Sequence, residues 1–218
     1  MRTNLTVEIF RDFEFPDSDI RIAHDGIEKA NVAAKHLEIV RDTRRLRLGA
    51  DPTQPLDTDA IRWPRLESDI SIVLTGRALL TATSMENATT VGVAHMMPSG
   101  EQSVAIINTL GFNAIDTVAH ETGHMLHLTY NGNKDRAHCE NKNCTMHAVV
   151  DGYKDTERVK KTGINAWMER RGYRTAEYIE KMFANNTDFC DPCQVQLAQR
   201  AFFLLQHKQG KHVPEGLR

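Results

Sequence analysis

The chain has 218 residues, a length that suits one compact domain with a buried core. Hydrophobic residues make up 40% of it and charged residues 26%, as is ordinary for a globular protein. A formal net charge of −2 gives no sign of a surface for nucleic acid or an anionic membrane. No apolar run has the length of a membrane span, and the N-terminus lacks the apolar segment of a signal peptide. We therefore expect a cytoplasmic monomer that binds neither nucleic acid nor membrane.

The first half of the chain has a hydrophobic pattern that alternates between strand and helix periods. Residues 3–10 alternate as in a strand. The apolar residues between 19 and 42 recur at helical spacing, which predicts one long amphipathic helix. That helix would place the arginines between 41 and 47 on a solvated face near its end. Three more strands are predicted over residues 69–75, 89–97 and 103–109.

Two further helices are predicted in the second half. One runs from residue 114 to about 128, and the other reaches about residue 206 from an N-cap at Asp191, with Pro192 at the first helical position. The order predicts an α+β fold in a single domain spanning residues 1–218. Its upper lobe would comprise about residues 1–128, and a loop-rich lower lobe would comprise about residues 129–218.

The helix predicted from residue 114 carries the sequence His120-Glu121-Thr122-Gly123-His124. Residues four apart lie on one helix face, so His120 and His124 can present their imidazoles to one metal ion. Glu121 can reach over that ion and take a proton from a bound water. The competing interpretation is a solvated helix face, but the helix is otherwise apolar, and burying these side chains without a metal would be costly. The pattern therefore favours a catalytic zinc site.

All four cysteines lie in the second half, as two closely spaced pairs: Cys139 with Cys144, and Cys190 with Cys193. Structural disulfides are rare in a reducing compartment, whereas paired short spacings are typical of a metal site. The alternative is four free cysteines that pack as small hydrophobic residues. The spacing favours the metal site.

Residues 69–146 resemble a metzincin, and the downstream cysteine pattern is similar to that of the archaemetzincins. The first resemblance rests on the strand segments SDISIVLTG, TVGVAHMM and SVAIINT, followed by TVAHETGHMLHL. The second rests on Ala137-His138-Cys139, Cys144-Thr145-Met146 and the later Phe189-Cys190-Asp191-Pro192-Cys193. The resemblance implies a zincin fold with a mixed twisted sheet, long helices and an active-site helix. It also implies a zinc metallopeptidase that hydrolyses peptide or protein substrates through a zinc-bound water.

The resemblance implies a role for each matching residue. Two zinc ligands would be His120 and His124, the general base would be Glu121, and Met146 would lie in a methionine turn beneath the catalytic zinc. The four cysteines (Cys139, Cys144, Cys190 and Cys193) would hold a second, structural zinc, giving two Zn²⁺ per chain. The strand that contains His95 would border the substrate cleft, although we expect the His95 side chain itself to face solvent.

The chain departs from the family pattern after the second histidine, where His127 and Tyr130 replace a glycine and a histidine. We expect the helix to continue through His127, with the turn displaced to Asn131-Gly132, and His138 to supply the third ligand. His127 lies seven residues after His120 on the same helix face. The imidazoles of His120, His124 and His127 would therefore approach an ion nearly in a line. Tetrahedral zinc needs a ligand off that line, and the neutral phenol of Tyr130 is a poor ligand.

Three functions stay open on this pattern. The first is a peptidase. The second is a catalytically weak, zinc-bound peptide-binding protein of the same fold, because the altered spacing can misplace the third ligand. The third is a zinc-ribbon interaction module built on the cysteines, against which the acidic balance and the intact Glu121 count.

Overall fold

The computed structural model describes residues 3–12, 20–49, 51, 54–61, 63, 66–77, 79–80, 92–96, 103–109, 114–127, 138–141, 143–147 and 188–211. Tyr130 and the turn expected at Asn131-Gly132 lie outside these residues. In chain order the elements are β1 (Leu5–Asp12), α1 (Ile20–Ala34), β2 (Leu37–Leu46), β3 (Leu56–Asp57), β4 (Ile70–Thr75), β5 (Leu79–Leu80), β6 (Gly92–Met96), β7 (Ser103–Asn108), α2 (Ala114–Met125) and α3 (Asp191–Lys208). None of the described helices is both long and apolar enough to cross a membrane.

A five-stranded mixed sheet with the strand order β2-β1-β4-β7-β6 forms the centre of the fold. The first four strands of this order are parallel, and β6 pairs antiparallel with β7 at one edge. At the centre of the sheet, Ile72 pairs with Ile9 on one side and with Ala105 on the other. Strands β4 and β7 are buried along their whole length, as expected of central strands covered on both faces. The mixed sheet with packed helices confirms the predicted fold class.

The two faces of the sheet bury separate hydrophobic cores. Ile72 and Ile107 point towards the three helices and belong to the larger core, which includes Val118 of α2 and Leu197 of α3. The alternate residues of the same strands point the other way, into a smaller core formed with the loop segments, to which Val73 belongs. The helices and the sites they carry therefore lie on one face of the sheet.

The prediction of one helix over residues 19–42 is wrong in its second half. Helix α1 ends at Ala34, and Lys35 takes a left-handed φ of 61°. The side-chain amide of Asn31 then exchanges two hydrogen bonds with the backbone of Leu37, at 2.9 and 3.2 Å. The following residues pair with β1 as β2. Their apolar spacing fits a helix equally well, but pairing along β1 outweighs that local preference.

Three of the four arginines between 41 and 47 accordingly lie on edge strand β2 and not on a helix face, and Arg47 follows its last residue. Arg41 and Arg44 both approach the buried carboxylate of Glu8 on β1, at 3.5 and 3.2 Å. Charged side chains on an edge strand also discourage pairing with another chain. Arg41 and Arg44 therefore have a structural role within the sheet.

Helix α2 is fixed against α1 by a close approach and a buried ion pair. A Cβ added at Gly26 of α1 would lie 2.5 Å from the Cβ of Val118, so only glycine allows this helix spacing. The ammonium of Lys29 lies 2.6 Å from the carboxylate of Asp116, and these side chains are only 12% and 6% exposed. Breaking one partner of such a pair is strongly destabilising, so α2 has a well-defined position against α1.

The ends of α2 and α3 differ slightly from the prediction. Helix α2 ends at Met125, before the expected residue 128. Helix α3 extends to Lys208, and its N-cap is Cys190 in an extended conformation instead of Asp191. Cys190 makes no side-chain capping bond to α3, and its own N–H donates to the sulfur of Cys144, at 3.4 Å. The start of α3 is therefore tied to another cysteine instead of being capped by Asp191.

Candidate metal centres

Three imidazoles meet at the C-terminal half of α2, and we refer to His120, His124 and His138 as the histidine cluster. One ring nitrogen from each histidine lies within 4.8 Å of the others. The Nε2 atoms of His120 and His124 are 2.9 Å apart. Ligands of a tetrahedral zinc, each about 2.0–2.1 Å from the ion, are about 3.3 Å from one another. A zinc ion therefore fits the cluster if the rings of His120 and His124 move slightly apart.

His120 is held in one tautomer by the backbone. Its Nδ1 lies 2.7 Å from the carbonyl oxygen of Thr145, which can only accept a hydrogen bond. We therefore assign the proton to Nδ1, which leaves the Nε2 lone pair free for a metal ion. A second hydrogen bond of this kind orients most metal-binding histidines. Thr145 was not singled out in the sequence, because a backbone contact has no side-chain pattern.

All three histidines of the cluster resist protonation. Burial lowers the pKa of His120 to about 4 and that of His124 to about 3, and the neighbouring histidines add to both shifts. Burial also lowers the pKa of His138, with a contribution from His147. The cluster is therefore neutral at neutral pH, as metal binding requires.

His138 joins the other two imidazoles, whereas His127 does not. The ring of His138 stacks at 5.2 Å from that of His120. The expectation that α2 continues through His127 is wrong, because this residue takes a left-handed φ of 59° after its N–H has bonded the carbonyl of His124, at 2.8 Å. His127 thus ends the helix in a conformation that favours glycine. The chain turns where the family pattern has its glycine, even though the residue is different.

Glu121 is 6% exposed and lies beside the histidine cluster. Burial raises the pKa of its carboxyl group to about 8, and a hydrogen bond from the backbone N–H of Ala94 on β6 opposes this rise. A divalent cation next to the carboxylate would lower the pKa further. The group therefore holds a proton at neutral pH unless a cation lies beside it, and it is poised to exchange one.

His95, on the same edge strand, faces away from Glu121. Ala94 packs into the larger core beneath α2, whereas the adjacent Val93 packs into the smaller core. His95 lies on the same face of the strand as Val93, and the centroid of its ring is 6.2 Å from that of Trp63. It is partly buried, and its Nε2 has no hydrogen-bond partner among the described residues. The expectation of a solvent-facing His95 is therefore wrong.

The four cysteines also meet, and we refer to Cys139, Cys144, Cys190 and Cys193 as the cysteine cluster. Their sulfur atoms all lie within 4.8 Å of one another, and those of Cys139 and Cys190 are 3.7 Å apart. Four sulfurs at about 2.3 Å from a tetrahedral zinc are about 3.8 Å apart. The spacing thus matches a closed zinc site, and the cysteines are free rather than disulfide-bonded.

The cysteine cluster cannot hold four negative charges without a cation. A hydrogen bond from the Cys193 thiol lowers the pKa of Cys144 to about 5, while the same contact raises the pKa of Cys193. Burial raises the pKa of Cys139 to about 11. One thiolate therefore forms at the expense of its neighbours, and a divalent cation would allow all four to ionise.

The two clusters are joined through one short segment, residues 138–147. His138 and Cys139 are consecutive, and the Cys139 N–H donates to the carbonyl of Met146 at 2.8 Å. The Met146 side chain is buried in the larger core. The N–H of Thr145 bonds the carbonyl of Asp188, just before α3. The segment thus contributes residues to both clusters while it is tied to the chain just before α3.

No protein-family model matches this sequence, and no curated protein matches it. Solved structures do share its fold. The crystal structure of an archaemetzincin from Methanopyrus kandleri has a TM-score of 0.56 and 15% sequence identity, and covers 91% of this chain and 96% of that one. An archaemetzincin from Archaeoglobus fulgidus, complexed with malonate, has a TM-score of 0.51 and 14% identity, and covers 88% of this chain and 99% of that one. The chain therefore has the archaemetzincin fold, as its motifs predicted.

Proposed function

We propose that this protein is a zinc-dependent metallopeptidase whose active site is the histidine cluster with Glu121. The proposal rests on one observation above all: three neutral imidazoles converge within 4.8 Å beside a buried carboxylate. Zinc in that position would supply a Lewis acid that polarises a carbonyl and acidifies a water molecule. The fold shared with two archaemetzincins supports the proposal.

In this mechanism the chain's own residues hold the metal and move a proton. His120, His124 and His138 would bind zinc, with His120 oriented by the Thr145 carbonyl. Glu121 would take the proton of the attacking water and pass it to the departing amine of the peptide. Burial favours the protonated form of Glu121. Once a neighbouring cation has allowed the carboxyl group to ionise, the carboxylate therefore accepts a proton readily.

We further propose that the cysteine cluster holds a structural zinc, for a total of two per chain. The sulfur spacing of 3.7 Å supports a closed tetrahedral site, and Met146 would serve as the residue of a methionine turn beneath the first zinc. Peptide substrates, a monomeric state, a single domain and a cytoplasmic location remain predictions.

The alternative of a catalytically weak peptide-binding protein loses its main argument. That alternative arose because His127 replaces a glycine, which put the third ligand in doubt. His127 nevertheless takes the glycine-like conformation, and His138 lies with the other two imidazoles. A zinc-ribbon module is also disfavoured, because Cys139, Cys144 and Cys193 are part of the core of the same unit.

The test is peptide hydrolysis by the purified protein, measured together with its zinc content. We expect two zinc ions per chain, of which a mild chelator removes one together with the activity. Zinc should restore turnover to the chelated protein. One zinc per chain in fresh protein would contradict the two-site proposal, and failure to cleave a mixed peptide library with both sites loaded would contradict the peptidase.

A further inference from the structure

The edge strand β6 approaches α2 so closely at Gly92 that no side chain fits there. A Cβ built on Gly92 would lie 2.7 Å from Oε1 and 2.8 Å from Cγ of Glu121. It would also lie 2.7 Å from Cγ2 of Thr117, one turn earlier on the same helix face. Separations this short do not occur between a real Cβ and another heavy atom. Any residue larger than glycine would have to displace Glu121 or the whole helix.

The conformation of Gly92 does not explain why glycine is present. Its φ lies outside the left-handed range, and it pairs with Ile107 in the regular antiparallel register of β6 and β7. Other residues adopt such an extended backbone readily. The requirement is therefore one of space, and the space is occupied by the side chain of Glu121 and by the methyl group of Thr117.

The same strand also holds that carboxylate by a hydrogen bond. The donor is the backbone N–H of Ala94, two residues after Gly92 and on the same face of the strand. Strand β6 therefore limits Glu121 sterically at Gly92 and donates a backbone hydrogen bond to it at Ala94. Gly26 offers a contrast, since its missing Cβ makes room for the aliphatic Val118 and for the backbone of α2.

We infer that Gly92 is a positioning residue for Glu121: its missing side chain forms the space in which the carboxylate lies beside the histidine cluster. The inference rests on the proposed function, in which Glu121 carries the proton. A glycine inside a strand often marks a close approach of this kind, so the segment Val91-Gly92-Val93 carried a signal that the sequence analysis did not use.

The first test compares Gly92→Ala with Val93→Ala, a matched change at the adjacent residue, whose side chain packs on the opposite face of β6. Gly92→Ala should lower kcat about 100-fold, a loss that a displacement near 1 Å can cause, with KM changed less than about twofold and the zinc content retained. Val93→Ala should keep the parent kcat even if it lowers the melting temperature. Parent-like kcat in Gly92→Ala, or an equal loss in both variants, would overturn the inference.

The second test measures the contact without relying on activity. Gly92→Ala should lower the melting temperature of the parent, but by less than about half as much in a Glu121→Ala background, where both Glu121 contacts are gone and only the Thr117 methyl remains close. Equal losses in the two backgrounds would overturn the inference. If Gly92→Ala does not fold alone, folding of the double variant supports the inference, and failure of both overturns it. If the parent protein hydrolyses no peptide, the proposed function is wrong. The comparison of melting temperatures in the two backgrounds would then decide the positioning role by itself.

Discussion

The histidine cluster and the cysteine cluster lie on the same segment, residues 138–147, yet their surroundings differ. Among the described residues, three ligand atoms meet in the histidine cluster next to a buried carboxylate, whereas four meet in the cysteine cluster. Three ligands leave a zinc position for water and substrate, and four close the site. The comparison suggests a division of work, in which one metal performs chemistry and the other fixes the segment that delivers His138.

The clearest way to break this division is to open the cysteine cluster. Cys193→Ser removes one ligand at the start of α3, and it should destabilise the protein by several kcal/mol, because structural zinc contributes on the order of 10 kcal/mol to folding. His138→Ala is the matched control in the histidine cluster, and we expect its melting temperature to change much less. Thermal denaturation with zinc analysis checks both. Equal stability of the parent and Cys193→Ser would mean that the cysteine cluster has no structural metal.

Removing only the proton carrier sharpens the comparison from the other side. Glu121→Gln should lower kcat by a factor of about 10²–10⁴, since general base catalysis typically contributes that much. Its zinc content and fold should not change, because Glu121 lies beside the cluster without being one of its ligands. Steady-state kinetics and elemental analysis of the same preparation decide the matter. Turnover at the parent rate would refute the proposed mechanism.

The pH dependence of stability distinguishes the histidine cluster from the cysteine cluster once the zinc of the histidine cluster has been removed. The folded-state pKa of Glu121 is raised to about 8 by burial, so ionisation above its ordinary value of 4.5 costs stability. Burial lowers the pKa values of His120 and His124, so both cost stability as the pH falls through 6.5, and the other histidines with lowered pKa values act in the same direction. These effects oppose that of the glutamate between pH 6.5 and 8, so the glutamate is isolated as a difference. Relative to Glu121→Gln, the stability of the parent should fall by about 2 kcal/mol as the pH rises through this window.

The measurement for this window is urea denaturation of chelator-treated protein in which the cysteine cluster keeps its metal. Glu121→Gln is the control, because its amide does not titrate while the histidines are unchanged, so the stability difference between the two proteins reports the carboxyl group alone. With zinc bound in the histidine cluster this difference should no longer change with pH, since the ion favours the carboxylate. A difference that stays constant between pH 6.5 and 8 in the chelator-treated proteins would show that the carboxyl group is already ionised.

The sequence predicted which histidines and cysteines lie together better than it predicted the local turns. His120, His124 and the cysteines follow from side-chain chemistry at short spacings, and local geometry brings such residues together. The fold class followed from the same motifs. The boundary between α1 and β2 did not, because the apolar positions around Leu37 satisfy a helical and an extended period alike. Only pairing with β1 distinguishes them, and that contact is not local.

The functional details that were missed are of the same non-local kind. The bond to His120 is made by the backbone carbonyl of Thr145, so no residue type in the sequence indicates it. The face of β6 on which His95 lies depends on the register with β7, and a shift by one residue reverses it. Gly92 was the exception, because glycine within a strand was visible in the sequence and has a physical meaning.

The smallest expected effect concerns His127, the residue at which the chain leaves α2 towards the segment shared by both clusters. A left-handed φ of 59° costs a residue with a side chain roughly 1 kcal/mol relative to glycine. The His127 ring is partly buried, so its loss must be separated from the relief of strain. His127→Ala serves this purpose, because it removes the ring and keeps the Cβ. We expect His127→Gly to be more stable than His127→Ala by about 1 kcal/mol in urea denaturation, with His127→Asn between them. The zinc content of all three should equal that of the parent, since the ligand we propose is His138. Equal stability of the glycine and alanine variants would show that the turn is not left-handed, and loss of the catalytic zinc in all three variants would return His127 to the ligand set.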